Sequence, residues 1–204
     1  MGKLQVLMLS VLLSAFVTDV DAQQLRNPQD GGRIPEGATE IDIHDSLLQT
    51  TAGLFDNPLL LCAGNKDGSN AMTIGWISLG IHWLNPSLTV YVADKRHTRP
   101  FMDNNDYFTV MTFKNDTVLE YMGRHSGRDG DKAKALGLHV KYTDKGTPYY
   151  AEADMVIECR VMYAAQFKAE NIKDPLVTGF YSLFRDGIHH EYIGRITKAW
   201  RNNH

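Results

Sequence analysis

The segment NAMTIGWISLGIHWLNPSLTVYVADKRHTR, from Asn70 to Arg99, carries most of the information about the fold of this chain. Its first part, Ala71 to Leu79, predicts a β-strand. Its later part, Ser87 to Ala93, alternates in polarity and is rich in β-branched residues, which predicts a second strand. Further along, the segment GRHSGRDGDK, from Gly123 to Lys132, again places hydroxyls, glycines and cations beside apolar sequence.

The rest of the chain predicts more strands joined by short connections. Strands are predicted at Leu59 to Ala63, Tyr107 to Phe113, Met155 to Phe167, Val177 to Phe184 and Glu191 to Ile196. The first of them is expected to close in a tight turn at which Gly68 takes a positive φ. Many strands of this kind predict a mainly β protein, built as a closed or split antiparallel barrel.

Helices are predicted to be few and short. Their expected caps are Thr98 for the first helix, Asp116 or Thr117 for the second, and Asp129 for the third. Gly137 is expected to end the third helix, because glycine adopts the left-handed conformation of a helix C-terminus without steric cost.

The first residues have the composition of a secretory signal peptide. Lys3 precedes the apolar run Leu4 to Val17, and Val20-Asp21-Ala22 supplies small residues for cleavage before Gln23. The apolar run is too short to span a bilayer comfortably. We therefore expect cleavage after Ala22 and export, to the periplasm. The alternatives are a buried N-terminal helix or a mis-assigned start, and the protein would then be cytoplasmic.

The remaining sequence divides into a leader and one domain. Residues 23–40 are rich in Gln, Asn, Gly, Asp and Pro, which predicts a flexible leader. Residues 41–204 are the right length for one domain. The 21 basic and 24 acidic residues give a net charge of −3, with scattered cations, which argues against a nucleic-acid or membrane-surface partner. No second apolar run approaches the length of a membrane span.

The two cysteines and the histidines give no sign of a metal site. Cys62 and Cys159 lie in apolar, strand-like sequence, and we expect both to be buried as small hydrophobic residues. Export would permit a disulfide between them, but the sequence does not show that they meet. No Cys-x-x-Cys or His-x-His pattern is present.

One group of polar residues suits a phosphate. Its members offer fixed positive charge or hydroxyl donors: Arg96, Thr98, Ser126, Arg128 and Lys132. The arginine fork matches phosphate oxygens, and backbone N–H groups from Ser126 onwards precede a predicted helix, where anions bind readily. The alternative for a lone Ser-Gly-Arg-Asp segment is a solvated turn with a capping aspartate.

A second group suits a flat aromatic ligand. Asn70, Met72 and Trp76 fall on one face of the predicted strand, with Thr73 on the other. The backbone of such a strand can read the polar edge of a ring. For Trp76, packing in the core is an equally good interpretation.

Taken in order, NAMT–W–S, then RHT, then HSGRD–DK, the sequence resembles the flavin reductase-like family, and its flavoredoxin branch in particular. The resemblance runs from about Leu59 to about Ile196. It implies a Greek-key-like split β-barrel that binds FMN. The cofactor-binding residues that it implies are Asn70, Met72, Thr73, Trp76, Ser78, Arg96, His97, Thr98, Ser126, Gly127, Arg128 and Lys132.

The resemblance also implies an activity. It predicts an oxidoreductase that takes electrons from a reduced nicotinamide, or from a protein donor, and passes them to a flavin or a small acceptor. Homodimerisation is expected, with the flavin near the subunit interface. Two alternatives stay open: a non-catalytic FMN carrier, and a barrel that has lost flavin. Export favours a donor other than free nicotinamide.

His189 is the candidate catalytic residue, because family members carry a histidine at this spacing before an Ile-Gly pair. Arg195 stands where relatives often have Glu, which puts the local electrostatics in doubt. A solvated role in a surface turn is the alternative for His189.

Overall fold

The computed structural model describes residues 33–40 and 58–203. Ten strands are present in these residues: β1 Ala38–Glu40, β2 Leu59–Asn65, β3 Gly68–Ile74, β4 Ile77–His82, β5 Asn85–Ala93, β6 Tyr107–Thr112, β7 Val140–Tyr142, β8 Pro148–Tyr150, β9 Met155–Gln166 and β10 His189–Asn202. The helices are α1 Arg99–Asp103, α2 Asp116–Arg124, α3 Lys132–Ala135 and α4 Pro175–Leu183, with a 3-10 turn at Ala169–Asn171.

The main sheet is antiparallel and curls into a split barrel. Its strand order is β3-β2-β6-β9-β10-β5-β4, with β1 added to β10, while β7 and β8 form a separate hairpin. The end strands β3 and β4 are nonetheless consecutive in the chain and are joined only by Gly75 and Trp76. A link of this length spans at most about 11 Å. The two ends of the sheet must therefore approach each other, which confirms the predicted barrel class.

Two apolar cores lie on opposite faces of the sheet. Alternation along β2 sends Leu59, Leu61 and Ala63 into one core, with residues of β5, β6, β9 and β10. Leu60 and Cys62 point into the other, which is covered by α2, α3 and the β7–β8 hairpin. The first core fills the barrel with side chains, so a ligand has to bind beside the barrel and not within it.

Two details of the first strands differ from the prediction. The positive φ in the β2–β3 hairpin belongs to Gly64 (φ 123°) and not to Gly68. A Cβ on Gly64 would lie 2.3 Å from the Gly68 carbonyl oxygen, so only glycine fits there. The single strand predicted from Ala71 to Leu79 is two strands, because the chain leaves the sheet at Gly75 and Trp76 to cross between its edges.

The largest correction concerns the segment after β9. The strand predicted from Val177 to Phe184 is wrong, because this segment lies in helix α4. Asp174 caps the helix by accepting a hydrogen bond from the Leu176 N–H, and Pro175 occupies the first turn. These are ordinary helix-start signals, and the apolar residues that follow outweighed them in the sequence interpretation.

Two of the three predicted caps are also corrected. Asn115 caps α2 in place of Asp116 or Thr117, and Asp131 caps α3 in place of Asp129. Thr98 does precede α1, but its side chain makes no capping bond. The expected end of the third helix is confirmed, since Gly137 has a φ of 68°.

The predicted signal peptide, residues 1–22, lies outside the described residues. The end of the predicted leader lies within the described residues and is not flexible sequence outside the fold. Ala38–Glu40 forms strand β1, whose backbone pairs with β10, so these three residues belong to the sheet. Cys62 and Cys159 are both buried and unbonded. Burial raises the pKa of the Cys62 thiol to about 12. Among the described residues, no helix is both long and apolar enough to cross a bilayer.

Candidate functional site: a cationic cavity beside the barrel

A cavity of about 220 Å³ lies where strand β3, the loop after β5 and the segment after α2 meet. Ten of the predicted cofactor-binding residues line it: Asn70, Met72, Thr73, Arg96, His97, Thr98, Ser126, Gly127, Arg128 and Lys132. The other lining residues are Lys95, Met122, Gly123, Arg124, His125 and Asp186. The three motifs that are separate in sequence thus form one wall.

Asn70 connects the strand to the cationic loop. Its side-chain N–H donates to the Thr98 hydroxyl at 2.7 Å, and both side chains are buried. Gly127 passes so close to this pair that a Cβ would lie 2.1 Å from the Asn70 Oδ1 atom and 2.7 Å from the His97 ring. Glycine at 127 is therefore required for the loop backbone to reach the floor of the cavity.

Thr73 and Lys132 use their polar atoms to assemble the wall. The Thr73 hydroxyl donates to the Leu119 carbonyl of α2 at 2.5 Å. The Lys132 ammonium donates to the carbonyls of Ala71 (2.6 Å) and Met122 (3.1 Å). Lys132 is buried, and burial lowers the pKa of its ammonium group. Both residues line the cavity, but both are also committed to holding α2 and α3 against β3.

Arg96 and Arg128 supply the accessible positive charge. The Arg128 guanidinium donates to the Lys95 carbonyl from both terminal nitrogens, at 3.3 Å each, which holds the 126–128 loop beside the loop after β5. Arg96 Nε lies 2.9 Å from Asp186 Oδ2. Since five of the lining side chains are cationic and Asp186 is the one carboxylate among them, the cavity favours an anion.

His97 contributes no fixed charge to the cavity. Its ring packs edge-on against Phe101, with centroids 5.4 Å apart. Burial, followed by the repulsion of Arg128 and Lys132, lowers the pKa of His97. The neutral ring can therefore donate or accept one hydrogen bond at neutral pH.

The remaining predicted site residues lie outside this cavity. Ser78 is exposed on β4, opposite Thr89. Trp76 and His189 belong to an aromatic cluster formed by Trp76, Phe180, Tyr181, Phe184 and His189. The His189 ring lies between Trp76 and Phe184, with centroid distances of 4.3 and 5.2 Å. Trp76 is 43% exposed, so it lies at the surface of this cluster and not in the core.

The environment of His189 differs from the solvated turn that was its alternative. His189 opens strand β10, is buried, and exchanges a 3.0 Å hydrogen bond between its Nδ1 and the Tyr181 hydroxyl. Burial lowers the pKa of His189, and Arg96 lowers it further, while Asp186 and Asp94 raise it. Asp186, which lines the cavity, stands in the loop that joins α4 to β10, between Phe184 and His189, so the aromatic cluster borders the cavity.

Sequence reasoning missed several residues of this region. Lys95, directly before the Arg-His-Thr motif, is not among the predicted site residues but lines the cavity. Asp186 stands in the Asp-Gly pair that follows α4. Phe180, Tyr181 and Phe184 fall in the incorrectly predicted strand Val177 to Phe184. Alternation along a strand would place Tyr181 on the opposite face from the other two, so the prediction did not bring all three to His189. The cap at Asp174 was the signal that could have found them.

The fold and the site together define a class of protein: a split barrel with a filled core and a cationic cavity beside it that can take an anionic ligand. The flavin reductase like domain matches residues 52–204, and the chain belongs to this family. The predicted family is therefore confirmed.

Solved structures agree with this assignment. A flavoredoxin from Methanosarcina acetivorans is 25% identical, with a TM-score of 0.55 over 72% of this chain and 68% of that one. An FMN-binding domain of a flavin reductases-like enzyme from Shewanella baltica OS155 is 16% identical, with a TM-score of 0.58 over 83% and 80%. An NADH:FAD oxidoreductase from Streptomyces globisporus C-1027 is 15% identical, with a TM-score of 0.52 over 82% and 88%. No curated protein sequence matches the chain at a significant level.

The residues present fit FMN, which the family and its structural neighbours support as the cofactor. A dianionic phosphate needs a fixed cation and hydrogen-bond donors, and the cavity offers the Arg96 guanidinium, the Ser126 hydroxyl and the loop backbone at Gly127. The glycine at 127 lets this loop backbone pack directly against Asn70 and His97, which keeps it at the cavity wall. The strand residues Asn70 and Met72 line the same cavity from β3.

Proposed function

We propose that this chain is an FMN-dependent oxidoreductase that takes electrons from a reduced nicotinamide, or another donor, and passes them to a flavin or a small acceptor. The observation that supports it most is the single cavity, in which the strand residues Asn70 and Met72 and the cations Arg96 and Arg128 come together from distant parts of the sequence. This combination suits a ligand with a flat ring and a phosphate.

The residues of the cavity have different roles in binding. Arg96 and Arg128 hold the phosphate, and Lys132 adds positive charge from a buried position behind it. Asn70 keeps the strand and the cationic loop in register through Thr98. When bound, FMN supplies the hydride- and electron-transfer chemistry. His189, neutral and stacked between Trp76 and Phe184, offers a polar atom beside the cavity where a donor can approach.

The purified protein tests the cofactor and the activity together. We expect a yellow protein with flavin absorbance, and quenching of flavin fluorescence when apoprotein is titrated with FMN. We also expect FMN to bind more tightly than FAD. Steady-state oxidation of NADH or NADPH, with FMN or riboflavin as acceptor, then measures turnover. A colourless protein that does not quench FMN fluorescence would contradict the proposal at its first step.

A non-catalytic FMN carrier is the second candidate function. The similarity to a flavoredoxin at 25% identity favours it. A carrier would hold FMN and exchange electrons with a reduced redox protein, yet would turn over negligibly with free nicotinamide. Comparing the two donors on the same FMN-loaded preparation therefore separates the two functions.

A homodimer that completes the flavin site is part of the proposal. The cavity of about 220 Å³ is smaller than the roughly 300–1,000 Å³ of most ligand pockets, so further walls are needed. Trp76 and Phe180 are about 40% exposed and could be covered by a second copy. Light scattering after size exclusion should give twice the chain mass. A monomer with full FMN occupancy would mean that one chain encloses the cofactor.

Export is the last part of the proposal. It rests on Lys3, the apolar run Leu4 to Val17 and the small residues before Gln23. N-terminal sequencing of protein from the native cell should start at Gln23, and fractionation should find it in the periplasm. A mature protein that starts at Met1 would place it in the cytoplasm instead.

A further inference from the structure

Among the described residues that line the cavity, Asp186 is the one carboxylate beside five cations. A carboxylate repels a phosphate, so its presence beside the proposed phosphate site calls for a physical reason. We propose that Asp186 is a positioning residue: it holds the Arg96 guanidinium in the orientation that binds the FMN phosphate. This inference rests on the proposed function.

The geometry of the ion pair leaves the useful face of Arg96 free. Asp186 Oδ2 lies 2.9 Å from Arg96 Nε, which is the inner nitrogen of the guanidinium. Within the described part of the chain, the two terminal nitrogens of Arg96 make no other hydrogen bond or ion pair. Those two nitrogens form the fork that pairs with two phosphate oxygens. Asp186 therefore engages Arg96 without occupying the donors that a phosphate needs.

Asp186 is itself held by the backbone. The Lys95 N–H donates to the Asp186 carbonyl at 2.9 Å, and the Asp94 N–H donates to the Ile188 carbonyl at 3.0 Å. The Lys95 ammonium donates to the Arg185 carbonyl at 2.8 Å. The loop before β10 is thus fastened to the loop after β5 on both sides of the ion pair, so the carboxylate is a fixed point of reference.

A fixed partner matters because arginine is flexible. A free arginine loses rotamer entropy when it binds a phosphate, and that loss weakens binding. Arg96 is 40% exposed in its side chain, so the surrounding packing does not hold it by itself. The Asp186 contact orders Arg96 before the ligand arrives, which is the usual benefit of preorganisation.

Asp186 has a second, opposite effect on FMN, because its charge repels the phosphate through space. The two effects differ in their response to salt. The Debye length falls from about 10 Å at 0.1 M to about 3 Å at 1 M ionic strength, so salt suppresses the repulsion. The orientation of Arg96 depends on a direct contact and persists. The loss of positioning is therefore expected to dominate at 0.5 M salt.

The test compares FMN with riboflavin, which has the same ring and no phosphate. In 0.5 M salt, Asp186→Asn should weaken FMN binding roughly three- to tenfold, as expected when one flexible side chain has to be ordered on binding, and should leave riboflavin binding unchanged. Glu120→Gln is the matched control. It also removes a carboxylate from an arginine of the cavity wall, the exposed Arg124, at 2.9 Å, and it should not weaken FMN binding.

A double-mutant cycle shows whether Asp186 acts through Arg96. In an Arg96→Ala background, Asp186→Asn should no longer weaken FMN binding. Unchanged or tighter FMN binding by Asp186→Asn at 0.5 M salt would overturn the inference, as would an equal loss with riboflavin. If the wild-type protein does not bind FMN, the proposed function itself fails. If the wild type binds FMN and Asp186→Asn binds it with the same affinity, only the inference about Asp186 fails. If Asp186→Asn does not fold, Asp186→Ala, which also removes the contact to Arg96 Nε, provides the same comparison.

Discussion

The cavity and the aromatic cluster lie side by side but are built in different ways. The cavity is polar and is assembled from three short segments, each of which carries its own chemistry in the sequence, together with Asp186 from the loop before β10. The aromatic cluster is apolar and depends on α4, whose residues face His189 only because the segment is helical. The difference teaches that the residues that provide positive charge for a ligand and the residues that surround His189 can be changed independently. Substitutions in the cavity should alter FMN affinity, and substitutions in the aromatic cluster should alter the pKa of His189.

The largest effect is expected from Arg128→Ala. This change removes a charge-assisted phosphate contact and should cost about 1.5–3 kcal/mol, which is roughly ten- to a hundredfold in FMN affinity. The fold should survive, because Arg128 is exposed. Fluorescence titration with FMN and riboflavin measures the effect. Lys134→Ala, an exposed cation of α3 that does not line the cavity, is the control. Equal FMN affinity of Arg128→Ala and wild type would mean that the 126–128 loop is a solvated turn.

Gly127→Ala should come next. The new methyl group would meet Asn70 and the His97 ring at distances that no relaxed structure allows, so the loop must withdraw from the cavity floor. Overpacking of this kind costs about 1–3 kcal/mol. We expect weaker FMN binding and a lower melting temperature. Gly80→Ala is the control, because a Cβ there meets nothing within 4 Å. If both variants behave alike, the close approach at Gly127 has no role.

Phe184→Ala should change the aromatic cluster and leave the cavity intact. The Phe184 ring stacks on His189 with an interplanar angle of 18°. Its loss should cost about 0.5–1.5 kcal/mol beyond the lost burial, and it should raise the pKa of His189 towards its usual value by admitting water. Leu183→Ala is the control, since Leu183 on the same helix is 83% exposed. Calorimetry and an NMR titration of His189 measure both effects. A clear loss of FMN affinity in Phe184→Ala would break the separation of the two regions.

The smallest effect is a dependence of stability on pH that originates at His189. Its pKa in the folded protein is below the 6.5 of a free histidine. As the pH falls below 6.5, the unfolded chain therefore takes up a proton before the folded protein does, and stability is lost. Above pH 6.5, His189 is neutral in both states and its contribution to the free energy of unfolding is fully present. Apoprotein melting temperatures at pH 7.5 and 5 should differ more in wild type than in His189→Gln. An identical difference in the two proteins would show that His189 titrates normally.

The sequence predicted the cavity better than it predicted the aromatic cluster, for a physical reason. Arg96, Thr98, Ser126 and Arg128 belong to short motifs in which charge, hydroxyl and glycine are adjacent, so the local pattern already contains the chemistry. The motifs did not predict that Thr73 and Lys132 are structural anchors, because the groups to which they donate are backbone carbonyls of other elements.

The barrel was predictable from its strands, while the boundary errors came from long-range geometry. Ala71 to Leu79 has the composition of one continuous strand, and only the order of strands in the sheet requires a break at Gly75 and Trp76. Val177 to Phe184 is apolar and β-branched enough to suit a strand, but the cap at Asp174 and the proline after it favour a helix. In both places tertiary context outweighed local propensity.

The two-residue link between β3 and β4 has a consequence for observing the molecule. Trp76 sits in the link that joins the two edges of the barrel, and its ring also lies 4.3 Å from that of His189. Any widening of the gap between β3 and β4 must move this indole relative to the imidazole. Of the other two tryptophans, Trp200 is buried and Trp83 is exposed on the β4–β5 turn. Trp76 fluorescence, isolated by replacing those two with Phe, is therefore a built-in optical gauge of barrel opening.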